Sequence, residues 1–282
     1  MQCGYFHMQY LGDTLEEVAT EKSGIIKKGC PVIVSDQKPE VINILEKKAR
    51  EMNVPLVVAD TRKVKDISFS LDKTCFSYPI DGEYREYQIS LLGKHQIQNA
   101  VLAIEVAREL GKLNIVSKSN PSIYSHSFSN NISEDSIGEG LYKARWHGRF
   151  EQISKNPDIY IDGAHNEEAA LRLRDSIEIY FTNRRIIFMI GVLADKDYQS
   201  MLEILAPLAY TIITLTPDNN RGLSSHILAS EARKYCDRVL DGGDLKHAIK
   251  LVYKEAKSDD IIIAFGSLSF LGSLAGDLNT KG

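Results

Sequence analysis

The stretch Ile159–Leu173, IYIDGAHNEEAALRL, decides how this sequence is read. Its left half is apolar enough for a buried strand, and from Glu167 onward the spacing is helical. Between the halves stand Asp162, Gly163, His165 and Asn166, four residues that do not help a core. Open α/β sheets bind their ligands outside the carboxyl ends of the strands. A strand that ends in an acid, a glycine and a histidine just where a helix begins is therefore where a site is expected.

Working outward, strand and helix alternate strictly from residue 148. Strands are predicted at RFEQIS, IYID, IIFMIGV, TIITLT, RVL and IIIAF, and helices at 166–180, 196–206, 224–235, 244–257 and 269–277. This is the pattern of a parallel, doubly wound sheet. Upstream, Thr14 followed by Glu17 fits a capping box, so a helix should start there and end near Gly24. PVIVS (31–35) and PLVVA read as short strands around a helix at 39–52. Near residue 65 the pattern changes to period two in DISFSL, TCFSYPI and EYREYQISLL, which predicts hairpins. A helix from His95 to Leu110 follows, then a polar surface loop at 114–133. The domain boundary is expected near 143–147, giving domains 1–145 and 146–282, the second able to fold independently.

Composition narrows the function classes. With 282 residues, 43% apolar and 26% charged, the chain is an ordinary globular protein of one large or two ordinary domains. A net charge of −4 without a basic run argues against a nucleic-acid or membrane-surface role. Nothing resembles a membrane span or a signal peptide, and Cys3, Cys30, Cys75 and Cys236 form no CxxC pair, so a reduced, cytoplasmic setting is expected.

Polar clusters recur at element ends: His7 with Lys22, GKHQIQNA with Asn99, WHGRFE with Arg149, DGAHN, GVLADKD with Lys196 and Asp197, and FGSLSF with Ser267. Singly each has a plain explanation. Lys22 could complement a helix dipole, Asn99 could be a cap, and Arg149 could form a surface pair worth under about 1 kcal/mol. Together Asp162, Asp197 and Ser267 repeat one arrangement, polar groups at the carboxyl ends of different strands.

These motifs, with HMQYLGDTLEEVATEKSGIIKKGCPVIV ahead of them, resemble the folylpolyglutamate synthases of the Mur ligase superfamily, whose bacterial members are often also dihydrofolate synthases. The resemblance implies a P-loop ATPase domain followed by a smaller Rossmann-like domain. It implies an enzyme that joins L-glutamate to a folate through an acyl phosphate, using ATP and Mg²⁺ and working as a monomer in full-length form. On this resemblance His7 is a magnesium ligand and Lys22 the lysine that the family carbamylates. Asn99 contacts the nucleotide, Arg149 reaches the ATP phosphates, and Asp162 holds the nucleotide from the second domain. His165 meets nucleotide or glutamate, Ser267 binds the incoming glutamate, and Lys196 and Asp197 line the same cleft.

The family's phosphate-binding loop, G-x-x-x-x-G-K-[ST], is absent from these 282 residues, and Phe6 stands where the family usually has Asp. Asn220 replaces a proline common before Arg221. The resemblance is therefore to an N-terminally truncated member, and catalysis by this chain alone is not expected. One rival reading is a cell-wall ligase of the same superfamily, which GKHQIQNA with DGAHN disfavours. The other is a non-catalytic remnant keeping only a nucleotide- or partner-binding surface.

Overall fold

A computed structural model describes residues 14–112 and 132–279. The chain divides into two compact units. Among the described residues, the first holds those up to Ser68, with Cys75–Ser90 and those between His95 and Ala144; the second holds Phe69–Thr74, Leu91–Lys94 and those from Arg145 onward.

In the first unit, helix α1 (Leu15–Ser23) starts at the expected capping box. The Glu17 amide donates to Thr14 Oγ1 at 3.2 Å, and the Thr14 amide donates back to Glu17 Oε2 at 3.2 Å. This satisfies two of the first-turn donors that a helix leaves open. Strand β1 (Val32–Ser35), helix α2 (Pro39–Met52) and strand β2 (Leu56–Ala59) follow as the pattern predicts. The two strands pair in parallel, and α2 buries Val41, Leu45 and Ala49 at helical spacing. Strands β3 (Lys65–Phe69), β4 (Thr74–Ile80) and β5 (Glu83–Ile89) form a three-stranded sheet in chain order. Along β4 the alternation is clear, with Thr74, Phe76 and Tyr78 buried; along β3 it fails, since Ile67 is 44% exposed.

Helix α3 (His95–Lys112) matches its prediction, but helix α4 (Glu134–Lys143) was not anticipated. Gly138 and Gly140 lower its propensity, and Ile137 is its one buried side chain. Polar bonds hold it instead. The Ser133 hydroxyl caps it, and Glu134 accepts from Arg108 Nε at 2.9 Å and from Tyr87 Oη at 2.6 Å. The predicted loop 114–133 falls mostly outside the described residues, as does His7.

The second unit is a six-stranded sheet in the order β10-β9-β8-β11-β7-β6. Its strands are β6 (Glu151–Lys155), β7 (Asp158–Asp162), β8 (Ile186–Ile190), β9 (Thr211–Thr214), β10 (Val239–Asp241) and β11 (Ile261–Phe265). Helices α5 (Glu167–Tyr180), α6 (Tyr198–Leu205) and α7 (Ser225–Ala232) cover one face. Helices α8 (Leu245–Glu255) and α9 (Leu268–Asn279) cover the other. Consecutive side chains of β8 enter opposite cores, Phe188 and Ile190 in one, Ile187 and Met189 in the other, which is why the strand is apolar throughout. One detail corrects the all-parallel expectation. β6 runs antiparallel to β7, because the few residues between them cannot make the long crossover that parallel pairing needs.

Two short stretches from earlier in the chain belong to this second unit. Leu92 is buried in its core beside Phe150 and Tyr160, the Gly93 amide donates to Tyr180 Oη at 3.1 Å, and Phe69 packs edge-on against Tyr180. Losing a buried Leu, this hydrogen bond and the ring contact removes about 3–4 kcal/mol. A fragment of residues 145–282 should therefore melt roughly 10 °C below the same unit in the whole chain. Calorimetry of both checks this; equal melting temperatures would show that these stretches contribute nothing.

Candidate functional site

Asp162 is the last residue of β7, and the backbone around it is built to hold its carboxylate. Oδ2 accepts from the Phe150 amide at 2.9 Å and Oδ1 from the Ala164 amide at 2.8 Å. Although solvent reaches part of the residue, the carboxyl is densely surrounded. Burial is the largest influence and pushes its pKa up to about 6, while the two amides and the charges of Arg149 and His165 pull the other way. A raised carboxyl pKa means that folding favours the protonated form. Stability from this group is thus greatest below the ordinary value near 3.8 and falls as the pH rises to about 6. After discounting for solvent, about 1–2 kcal/mol should be lost over that window. Chemical unfolding of the natural protein and of Asp162→Asn across that range should show the difference in their stabilities changing by this amount, the other carboxyls cancelling between them.

Arg149 lies across the same turn. An ideal Cβ placed on Gly163 would lie 2.8 Å from Arg149 Nη1 and 3.1 Å from Leu268 Cδ2. Glycine is therefore what lets the guanidinium pass over the strand end. Among the described residues this half-buried guanidinium has no hydrogen-bond or salt-bridge partner; its one interaction is with the nearby charge of Asp162. A cation so placed, with its donors unused, is suited to an anionic ligand. Turn geometry fixes it from both sides. Gly148 has φ 73°, its carbonyl accepts from the Gly163 amide at 2.8 Å, and Phe150 has φ 46°. A bulky residue in the left-handed region carries about 1–2 kcal/mol of strain.

His165 Nδ1 is 2.7 Å from the Gly163 carbonyl oxygen. A carbonyl only accepts, so Nδ1 carries the proton and Nε2 is left as an acceptor in the neutral ring. Asn166 caps α5 by accepting from the Ala169 amide at 2.8 Å, which explains the abrupt change from strand to helix.

The neighbouring strand ends share this rim. In the sheet register Phe265 pairs with both Asp162 and Ile190, so the ends of β7, β11 and β8 lie in a row spanning roughly 10 Å. Ser267 follows β11 and is 7% exposed, its hydroxyl 2.8 Å from that of Ser269. After β8, Asp197 caps α6, its carboxylate accepting from the Ser200 amide at 3.2 Å and hydroxyl at 2.7 Å. Lys196 pairs with Asp195 at 3.6 Å, and Asp195 also pairs with Arg221 at 3.4 Å. These side chains and Arg149, Asp162 and His165 all belong to the second unit.

Asn99 and Lys22 belong to the first. Asn99 is in the body of α3, exposed, with its amide donating to Gln96 Oε1 at 2.8 Å, so it is not a helix cap. Lys22 is in the last turn of α1. Among the described residues no group of three or more His, Cys, Asp or Glu is placed to hold a metal ion, so these residues alone do not make a magnesium shell. No helix among them is long and apolar enough to cross a membrane. Phe150 is the residue of this turn that the sequence does not single out; only the short spacing of GRFE to DGAHN hints that the two motifs meet.

Comparison with known proteins agrees with this fold. The Mur ligase glutamate ligase domain matches residues 148–268, and the Mur ligase middle domain matches residues 3–107. The dihydrofolate synthase/folylpolyglutamate synthase of Bacillus subtilis is 31% identical over 281 residues, covering 96% of this chain and 60% of its own. The crystal structure of folylpolyglutamate synthase from Thermotoga maritima superposes with a TM-score of 0.77 at 25% identity, over 96% of this chain and 59% of that one. The Mycobacterium tuberculosis folylpolyglutamate synthase complexed with ADP and AMPPCP shares the fold, with a TM-score of 0.75 at 21% identity, over 95% of this chain and 60% of that one. The chain thus spans about 60% of the length of these relatives. It belongs to the Mur ligases, in the branch of the folylpolyglutamate and dihydrofolate synthases.

Proposed function

We propose that the chain serves in an ATP-dependent ligase that adds L-glutamate to tetrahydrofolate, with dihydropteroate as a second acid substrate. The observation that carries this reading is the guanidinium of Arg149, which makes no hydrogen bond or salt bridge among the described residues, beside Asp162 at the end of β7, within the stretch matched to the glutamate ligase domain. In the reaction, a folate carboxylate oxygen attacks the γ-phosphorus of ATP and ADP leaves. The glutamate nitrogen then attacks the acyl carbon and phosphate leaves. Arg149 meets the phosphate charge as it develops, which is where a fixed cation lowers a barrier most. Asp162 holds the nucleotide on the same side. His165 Nε2, free to accept, faces the glutamate amino group as it loses its proton. Ser267 and Lys196 take glutamate carboxylates, with Asp197 ordering their loop, and Asn99 takes the nucleotide base. Mg²⁺, with His7 and Lys22 toward it, belongs to the same proposal.

Residues 1–145 are assigned as middle domain and 146–282 as glutamate ligase domain. A cytoplasmic setting fits the unpaired Cys30, Cys75 and Cys236. The test is to fuse, ahead of this chain, the part of the Bacillus subtilis relative that this chain does not cover and measure phosphate release. Release should depend on glutamate and on tetrahydrofolate. Faster release with a UDP-linked cell-wall peptide, or none from a folded fusion, would reject the proposal.

A further inference from the structure

We propose that Phe150 is a positioning residue, whose left-handed backbone, held by a cage of three aromatic rings, aims its amide at Asp162 and sets Arg149 over Gly163. The backbone is the first observation. Phe150 has φ 46°, a region where glycine is at ease and a large side chain is strained. Such residues persist only where their surroundings over-determine them. Here the surroundings are visible. The ring is 2% exposed, with Tyr160 at 5.5 Å and Tyr180 and Phe181 each at 5.8 Å between centroids. The cage is braced in turn: Tyr160 meets Phe181 edge-on at 4.9 Å, and Tyr180 Oη accepts the Gly93 amide.

What the strain achieves is the second observation. With Gly148 also left-handed, the chain reverses tightly around Arg149, and the Phe150 amide points into the turn, where it reaches Asp162 Oδ2 at 2.9 Å. A glycine would adopt this φ without strain but could not tie the turn to the core. Phenylalanine accepts the strain and gains the tether. The value of this for turnover rests on the proposed roles of Arg149 and Asp162; the geometry itself does not.

Two substitutions separate positioning from plain core packing. Phe150→Leu keeps apolar volume but removes the cage contacts, so the backbone should relax and the amide should leave Asp162. Phe150→Gly loses more packing, yet can keep the left-handed φ and the amide bond. The Asp162 carboxyl is followed by carbon NMR through a pH titration of the 282-residue chain, alongside melting temperature. Losing the amide, and any retreat of Arg149, both raise the midpoint. In Phe150→Leu it should rise by about half a pH unit or more. In Phe150→Gly it should stay within about 0.2 although that variant melts lower. A midpoint unchanged in Phe150→Leu, or shifts in both variants that follow the loss of melting temperature, would overturn the proposal. These readouts require no turnover, so failure of the ligase reading would leave them decisive. If Phe150→Gly does not fold, the leucine variant alone decides.

Discussion

Arg149→Ala is expected to slow glutamate-dependent phosphate release by about a hundredfold or more, measured in the fusion with the Bacillus subtilis segment. A hundredfold corresponds to about 2.7 kcal/mol of barrier, within reach of one well-placed cation in a partly desolvated site. The same substitution should move the melting temperature by no more than about 2 °C, because no hydrogen bond or salt bridge among the described residues depends on the guanidinium. Asp162 should respond as well. Its neighbour's positive charge lowers its pKa, so in Arg149→Ala the carboxyl should titrate above about 6. Unchanged release with a large fall in melting temperature would make Arg149 a structural residue.

The second large effect is on stability. Gly266, between β11 and Ser267, has φ 118°, and a Cβ there would lie 2.4 Å from the Gly191 carbonyl oxygen and 2.8 Å from Val192 Cγ1. The nearest atom is backbone and cannot swing aside. Gly266→Ala should therefore cost about 3 kcal/mol or more, combining a forbidden conformation with an overlap, and lower the melting temperature of the second unit by roughly 10 °C. Gly272→Ala is the control. Gly272 is in α9 with nothing within 4 Å of its would-be Cβ, so alanine should be neutral or stabilising by about 0.5–1 kcal/mol. Similar melting temperatures for the two variants would mean that the ends of β8 and β11 do not approach as described.

What could be read from residues alone follows from how local each cause is. The β7–α5 junction was legible because a change of period and the capping Asn166 lie within a few positions. The Thr14–Glu17 box was legible for the same reason. Helix α4 was not, since Glu134 finds Arg108 and Tyr87 from distant elements while Gly138 and Gly140 argue against a helix. The direction of β6 could have been read, because so short a link to β7 excludes a parallel crossover. Leu92 and Phe69 joining the second unit could not, since an apolar side chain carries no mark of which core it enters. Of the candidate site, Asp162, His165 and Arg149 stood out by chemistry. Phe150 did not, because a left-handed phenylalanine leaves no trace in composition or spacing.

On the function proposed above, the turn made by Gly148–Phe150 and Gly163–His165 receives the phosphates of a nucleotide. The direct measurement is an ADP titration of the isotopically labelled chain, following backbone amides and the Arg149 side chain by NMR. Saturable shifts should centre on Phe150, Gly163, Ala164 and the Arg149 guanidinium, and should vanish in Arg149→Ala. Shifts confined to other parts of the chain, or shifts at the turn that survive Arg149→Ala unchanged, would contradict it.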